Sequence, residues 1–248
     1  MRTSVPVRRA VVLAAGNGDR FQSKTSPSKL LVPVAGMPLI SRTLVTAARA
    51  GVDLIDMIIG YEADAVRATA ALTPLPGVTL RFHHNDRWHE ENGVSALVSR
   101  PHVGGDRFAL LMGDHVFDWH VLQRMLAQQV ADGESLLAID RNAASPERAA
   151  EATKVRLDGD RITAIGKQIH PFDALDTGVF VFSSSIFSAL DESAAAGDTS
   201  LSGGVRRLAA RGLMRGVDTD GSPWWDLDTV EDLDHLQSSI FNLAIDCR

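Results

Sequence analysis

The sequence predicts an α/β fold: a mixed, mostly parallel central sheet flanked by helices, followed by a small antiparallel sub-lobe. Three observations predict it. Up to residue 134, short apolar or β-branched runs alternate with segments of helical period, the rhythm of βαβ units. Beyond that point the runs become short and alternating, and turns such as Asp158-Gly159-Asp160 separate them, as in antiparallel strands. The chain has 248 residues, 45% of them hydrophobic and 23% charged, enough to bury one large core with a sub-lobe.

In chain order, residues 10–13 form a short buried strand, and residues 38–50 repeat apolar side chains at 39, 40, 44, 47 and 48 as a one-faced helix. A second strand over 54–59 leads to a helix over 62–72, and a third strand spans 78–83. A helix begins at 94–98 and Pro101 closes it. Residues 108–112 are an entirely apolar strand running into Gly113-Asp114-His115. The later strands are 135–139, 153–157, 161–165 and 179–182, with 143–152 as an exposed connection. The chain ends with a strand over 224–227 and a helix over 230–245 that carries Leu233, Leu236, Ile240 and Leu243 on one stripe. This is a Rossmann-like layout in a single domain, 1–248. A first half covers 1–134, a second half 135–228, and a C-terminal helix 229–248.

The net charge of -6 argues against a general nucleic-acid partner, because a phosphate backbone needs clustered Lys and Arg. Any phosphate chemistry must therefore be local. The single cysteine, Cys247, allows neither an intramolecular disulfide nor a cysteine-based zinc site, which fits a reducing, cytoplasmic setting. Residues 1–9 lack the apolar core of a secretory signal, and no run approaches the roughly 20 apolar residues of a membrane span. No membrane partner is expected, and a homo-oligomer is compatible with the sequence.

After the first strand the chain reads Leu13-Ala14-Ala15-Gly16-Asn17-Gly18-Asp19-Arg20. A dinucleotide fingerprint needs a third glycine at position 21, where Phe21 stands, and the Walker spacing with Gly-Lys-Ser/Thr is absent. What remains is a Gly-x-Gly turn ending in Arg20, with a second cation at Lys29. Glycines let backbone N–H groups approach phosphate oxygens, and the two cations supply full charge. A tight turn with two solvated cations is the competing reading.

Asp114 stands at the C-terminal end of an apolar strand, where open α/β sheets bind ligands. Asp226 and Asp228 are two apart on a predicted strand and share one face. Strand-end aspartates also serve as turn formers or helix caps. In 85–99 the amides of Asn85 and Asn92 can donate and accept together, as a base edge requires, and Gly93 allows close approach. Asn92 and Ser95 fit equally as helix caps. His83, His84 and His89 read as ordinary surface or loop histidines, since two are adjacent on a strand and face opposite sides. On or beside the later strands lie Glu151, Thr153, Lys154, Lys167, Asp176, Thr177 and Gly178.

The glycine loop, Lys29 and the following Leu-Leu-Val-Pro-Val-Ala-Gly-Met-Pro-Leu-Ile together resemble the signature of the sugar-nucleotide pyrophosphorylases. The segments MGDHV, EATKVR, IGK and DTG resemble the inositol-1-phosphate cytidylyltransferase branch, including the catalytic domain of the archaeal di-myo-inositol phosphate synthases. The likeness runs from about residue 11 to 236. It implies the nucleotide-diphospho-sugar transferase fold. It also implies nucleotidyl transfer from an NTP, CTP in this branch, to a phosphorylated small acceptor, with pyrophosphate released.

The resemblance implies that Gly16, Gly18 and Arg20 hold the NTP phosphates and that Lys29 stabilises charge around the α-phosphate; Leu13, Ala14, Ala15, Asn17 and Gly113 are candidates for the same NTP site. By the same resemblance Asn92, Gly93 and Ser95 would lie near the base, and Asn85 is placed with them by its amide chemistry alone. Mg2+ would bind Asp114 and one or both of Asp226 and Asp228. Glu151, Lys154, Lys167, Asp176, Thr177 and Gly178 would face the acceptor, with Lys167 on its phosphate. One departure stands out: the family usually has proline immediately before the lysine, and here the order is Pro27-Ser28-Lys29. Inositol 1-phosphate suits the polar acceptor set. Phosphocholine would need an aromatic cage, for which Trp88 and Trp224 are candidates. A phosphonate or a sugar 1-phosphate fits the same cations. From another class, a protein that binds nucleotide without turnover would need fewer of these charges.

Overall fold

A computed structural model describes residues 7–18, 21, 28–142, 152–229, 232, 233 and 236. The first strand, β1 (Arg9–Ala14), is buried along its length after Arg9. A strand with apolar side chains on both faces needs cover on both, and this one has it. Ala10, Val12 and Ala14 join a core with residues of α1 (Leu39–Arg49), α2 (Ala63–Ala71) and α5 (Trp119–Ala127). Val11, Leu13 and Ala15 join the opposite core with α3 (Asn92–Val98), α6 (Ser185–Ala195) and α7 (Leu201–Ala210). The period of two in the strand thus sorts the helices into two layers.

On one side β1 pairs in parallel with β4 (Leu54–Ile59), which pairs in parallel with β5 (Thr79–His84). On its other side lies β6 (Phe108–Met112), also parallel. The first half of the sheet is therefore the open, parallel arrangement that the sequence predicts. The second half is built differently. Strand β11 (Ala174–Phe182) runs antiparallel to β6 and is the hinge of the architecture. It also pairs with β8 (Ser135–Asp140) and with β9 (Lys154–Asp158). The order continues from β8 through β12 (Met214–Asp218) and β10 (Arg161–Gly166) back to β9, so these five strands close on themselves.

The expected antiparallel sub-lobe is thus no separate sheet. It is the same sheet curled into a small barrel, and its strands are shared with the central core. The curl has a local cause in β11, where the register with β8 shifts between Asp176 and Phe180 and Gly178 takes φ 75°. A bulge of this kind bends a strand and sharpens its twist. The strand predicted over 179–182 is accordingly the second half of a longer one.

Smaller pieces complete the edge where β1, β4 and β6 end. A hairpin joins β2 (Pro33–Val34) to β3 (Met37–Pro38). Strand β7 (His115–Phe117) pairs antiparallel with β13 (Trp224–Asp226), with His115 opposite Asp226. Pro101 does not simply end a helix: it sits in the first turn of a second short one, α4 (Arg100–Val103), where its missing N–H costs nothing. Of the predicted C-terminal helix, Asp232, Leu233 and Leu236 are described and helical. Leu236 is buried with Phe21, Leu39 and Leu227; Ile240 and Leu243 lie outside the described residues. Among the described residues no helix is long and apolar enough to cross a membrane.

Candidate functional site

The chain leaves β1 and turns through Gly16-Asn17-Gly18. Gly18 has φ 63°, and a side chain there would put its Cβ 2.9 Å from Cδ of Lys29. Glycine is therefore required twice over, for the left-handed turn and to admit the lysine stem. Lys29 opens a 3-10 turn, Lys29–Leu31, capped by Ser28, whose Oγ accepts a hydrogen bond from the Leu30 N–H. This is what the serine does at the position where the family resemblance led one to expect proline. The hydroxyl satisfies an N–H that the turn leaves orphaned, and Leu30 anchors the turn in the core. Ser28→Ala should lower stability by about 1 kcal/mol and raise the KM for NTP more than a surface Ser→Ala does. Thermal unfolding and steady-state kinetics check both.

The Lys29 ammonium is 2.6 Å from Asp114 Oδ2 and 3.3 Å from Asp228 Oδ1, and it donates to the Leu227 carbonyl at 3.0 Å. Burial pulls its pKa down, but the attraction of Asp114, Asp226 and Asp228 outweighs burial and holds it above the usual lysine range. Lys29 is thus a fixed positive charge at neutral pH, placed between a strand end and the 224–229 segment.

Asp114 follows β6 through Gly113, whose N–H donates to the Leu13 carbonyl and draws the two strand ends together. Asp114 Oδ1 is buried and accepts no hydrogen bond among the described residues. Next to it, His115 donates from Nδ1 to the Thr177 carbonyl at 2.9 Å, which leaves Nε2 3.4 Å from Asp226 Oδ1 and 3.8 Å from Asp114 Oδ1. Burial lowers the His115 pKa, while Asp226, Asp114 and the Thr177 carbonyl raise it, with a net value of about 10. One ligand atom from each of Asp114, His115 and Asp226 lies within 4.8 Å of the others. An orphaned carboxylate oxygen beside a second carboxylate suits a divalent cation, and the cluster could hold one.

Asp226 and Asp228, predicted to share a face, are divided between two tasks. Strand β13 stops at Asp226, so the alternation does not reach Asp228, and Leu227 is buried between them. Asp226 enters the cluster with Asp114, and Asp228 pairs with Lys29.

Beside this charged centre a cleft of about 140 Å³ is lined by residues 13–16, Gly18, Lys29, Trp88, Glu90, Asn92, Ser95, Met112 and Asp114, among others. Asn85 is buried with its amide committed, donating to Ser95 Oγ and accepting from the Arg87 N–H. Asn92 lines the cleft, yet its Oδ1 accepts from the Leu201 N–H at the start of α7. Gly93 leaves no room for a side chain, since a Cβ there would collide with the Thr199 carbonyl. Its smallness therefore serves the packing of α3 against α7.

Two lining residues, Trp88 and Glu90, were not predicted as part of the nucleotide site. Trp88 packs where Gly60 lacks a Cβ and tilts against Tyr61 at 5.3 Å. A tryptophan after a strand end was the available signal. His83 bonds Asp56 at 2.8 Å and His84 bonds Asp86, and among the described residues they form no metal group. Trp224 is buried, with its indole N–H on Asp140, so it cannot wall an open cage.

The predicted acceptor residues gather at one end of the closed ring, where β9 and β11 begin and β10 ends. Lys154 is buried and donates to the carbonyls of Ala152 and Lys167. The Lys167 side chain is exposed, one residue past β10. Thr177 is buried and donates from Oγ1 to the Ala138 carbonyl. Asp176 accepts from the Gly178 N–H, and Gly178 is needed because a Cβ there would overlap the His115 ring. Arg20 and Glu151 lie outside the described residues.

Burial raises the Asp176 pKa to about 6, with the Asp226 charge adding to it; the Gly178 N–H and His115 offset part of this rise. Because the folded-state value lies above the unfolded one of about 3.9, Asp176 contributes stability that is full below pH 4 and lost as pH rises through about 6. Asp176→Asn keeps an acceptor for Gly178 and does not titrate. Its melting temperature in EDTA should therefore gain on wild type between pH 4 and 7, and a gap constant with pH would contradict this.

Known proteins resemble this chain over most of its length. The profile of the MobA-like NTP transferase domain matches residues 10–213. The bifunctional IPC transferase and DIPP synthase of Rubrobacter xylanophilus is 32% identical over 227 residues, 90% of this chain and 50% of that one. Its namesake from Archaeoglobus fulgidus is 32% identical over 241 residues, 97% of this chain and 45% of that one. The chain therefore spans about half the length of these curated relatives. The solved inositol-1-phosphate CTP transferase from T. maritima superposes with a TM-score of 0.80 at 25% identity, covering 95% of this chain and 97% of that one.

Proposed function

The chain belongs to the MobA-like NTP transferase domain family, and from that premise we propose that it joins CTP to inositol 1-phosphate or a close phosphorylated polyol, releasing pyrophosphate, with Mg2+ as the cation. One observation carries the reading: Lys29, Asp114, His115 and Asp226 converge beside a cleft at the sheet's C-terminal edge. Residues 1–134 bind the NTP in this reading, and 135–228 bind the acceptor.

A phosphate oxygen of the acceptor attacks the α-phosphorus, the bond from that phosphorus to the bridging oxygen breaks, and the electron pair leaves with pyrophosphate. A phosphate monoester has its second pKa near 6, so it arrives largely as a dianion and needs no protein base. The obstacle is repulsion between two anions. When bound, the divalent cation neutralises adjacent phosphate charge; Asp114 and Asp226 would hold it. Lys29, engaged here by two carboxylates, is the ammonium that can be handed to the triphosphate, and Arg20 is the second cation that the sequence offers for it. Lys167, exposed at the end of β10, is free among the described residues to meet the acceptor phosphate.

Pyrophosphate release measured for five NTPs against inositol 1-phosphate, phosphocholine, sugar 1-phosphates and small phosphonates tests the proposal. Metal-dependent release with CTP and inositol 1-phosphate is the expected result. Release only with another pair would replace the substrates, and none with any pair would leave a nucleotide-binding protein without turnover.

A further inference from the structure

We propose that His115 is a direct ligand of the catalytic cation through Nε2, making the site two carboxylates and one imidazole. This rests on the reading of Asp114 and Asp226 as cation ligands. Three independent observations carry it. The Nδ1–H donates to the Thr177 carbonyl, and a ligating histidine characteristically fixes its ring by giving its other N–H to a carbonyl or carboxylate. That bond turns Nε2 toward Asp226 and Asp114, within 3.4 and 3.8 Å of their Oδ1 atoms; the two carboxylates favour a proton there when no cation is bound, and cation binding would release that proton to solvent. The space the ring occupies is kept open by Gly178, at φ 75°, where any side chain would overlap the imidazole. The fold thus builds a slot for one ring and aims its nitrogen at the two carboxylates.

The slot also joins the two halves of the proposed site. The carbonyl that orients His115 belongs to Thr177 on β11, beside Asp176 at the acceptor end, whereas Asp114 follows β6 on the nucleotide side. A nitrogen donor shifts the preference among oxygen-seeking cations. Mg2+ favours an all-oxygen shell, and Mn2+ accepts carboxylate and imidazole together. The site should therefore prefer Mn2+ over Mg2+ by more than two carboxylates alone would give, and His115 should be the source of the difference.

Mn2+ itself is the probe. Electron spin echo spectra of the Mn2+-loaded full chain should show the coupling of a directly bound imidazole nitrogen, confirmed by isotopic labelling of histidine. His115→Gln should abolish the coupling and weaken Mn2+ binding by at least about 10-fold, the lower bound for losing even an outer-shell partner, with a smaller loss for Mg2+ by competition titration. If His115→Gln does not fold, the wild-type spectrum still decides, because His115 is the histidine grouped with Asp114 and Asp226 among the described residues. Mn2+ bound without nitrogen coupling, and lost in Asp114→Asn, would overturn the role of His115 and leave the carboxylate reading standing. Mn2+ binding untouched by Asp114→Asn would overturn both.

Discussion

Replacing Lys29 with methionine will lower kcat/KM by about 10²–10³. The apolar stem still fits the groove left by Gly18, so the loss isolates the charge. The same change leaves Asp114 and Asp228 without their ammonium. The stability cost should fall below the roughly 3–5 kcal/mol of a fully buried broken pair, because the two carboxylate side chains keep 18% and 22% of their exposure. Removing a positive charge beside Asp114 and Asp226 will also tighten divalent cation binding, so added Mn2+ should raise the variant's melting temperature more than that of wild type. Pyrophosphate release and thermal unfolding with and without the cation measure all three effects. Near-normal turnover would remove Lys29 from the chemistry.

Asp114→Asn will abolish metal-dependent turnover, with a loss of at least about 10³, while the fold survives. The amide keeps the shape of the carboxylate, Lys29 retains Asp228 and the Leu227 carbonyl, and one of the like charges facing Asp226 disappears. Stability should consequently change little even as cation binding is lost. Scanning calorimetry alongside the pyrophosphate assay separates the two outcomes. A variant that unfolds would show that the carboxylate holds Lys29 for the sake of the fold, whereas turnover close to wild type would refute the cation assignment.

Much of this site could be read along the chain because its parts are set by local rules. Gly18 stands where a turn after a strand needs a left-handed residue, Lys29 at the start of a 3-10 turn before an apolar run, and Asp114 just past a wholly apolar strand. The paired aspartates could be found by their spacing but not told apart. Alternation along a strand holds only while the strand lasts, and β13 ends at Asp226. Ser28, which looked like a departure, is explained by one bond that no spacing reveals.

The first half of the sheet follows directly from composition: runs apolar on both faces must be covered on both, and the helices between them have one apolar stripe each. The partners of β11 do not follow from its residues. The strand has to satisfy β6, β8 and β9, and it does so through a bulge at Gly178 that closes the later strands into a ring. His115 belongs to the same class. Its neighbours in sequence announce only a turn, and its place in the cluster depends on β7 meeting β13 and on the space above Gly178. Periodicity and turn chemistry are written into consecutive residues, so strands, loop and candidate charges could be named in advance. Which charges meet is settled by long-range strand pairing, where buried backbone groups must find partners and apolar faces must find cover, and no single segment carries that information.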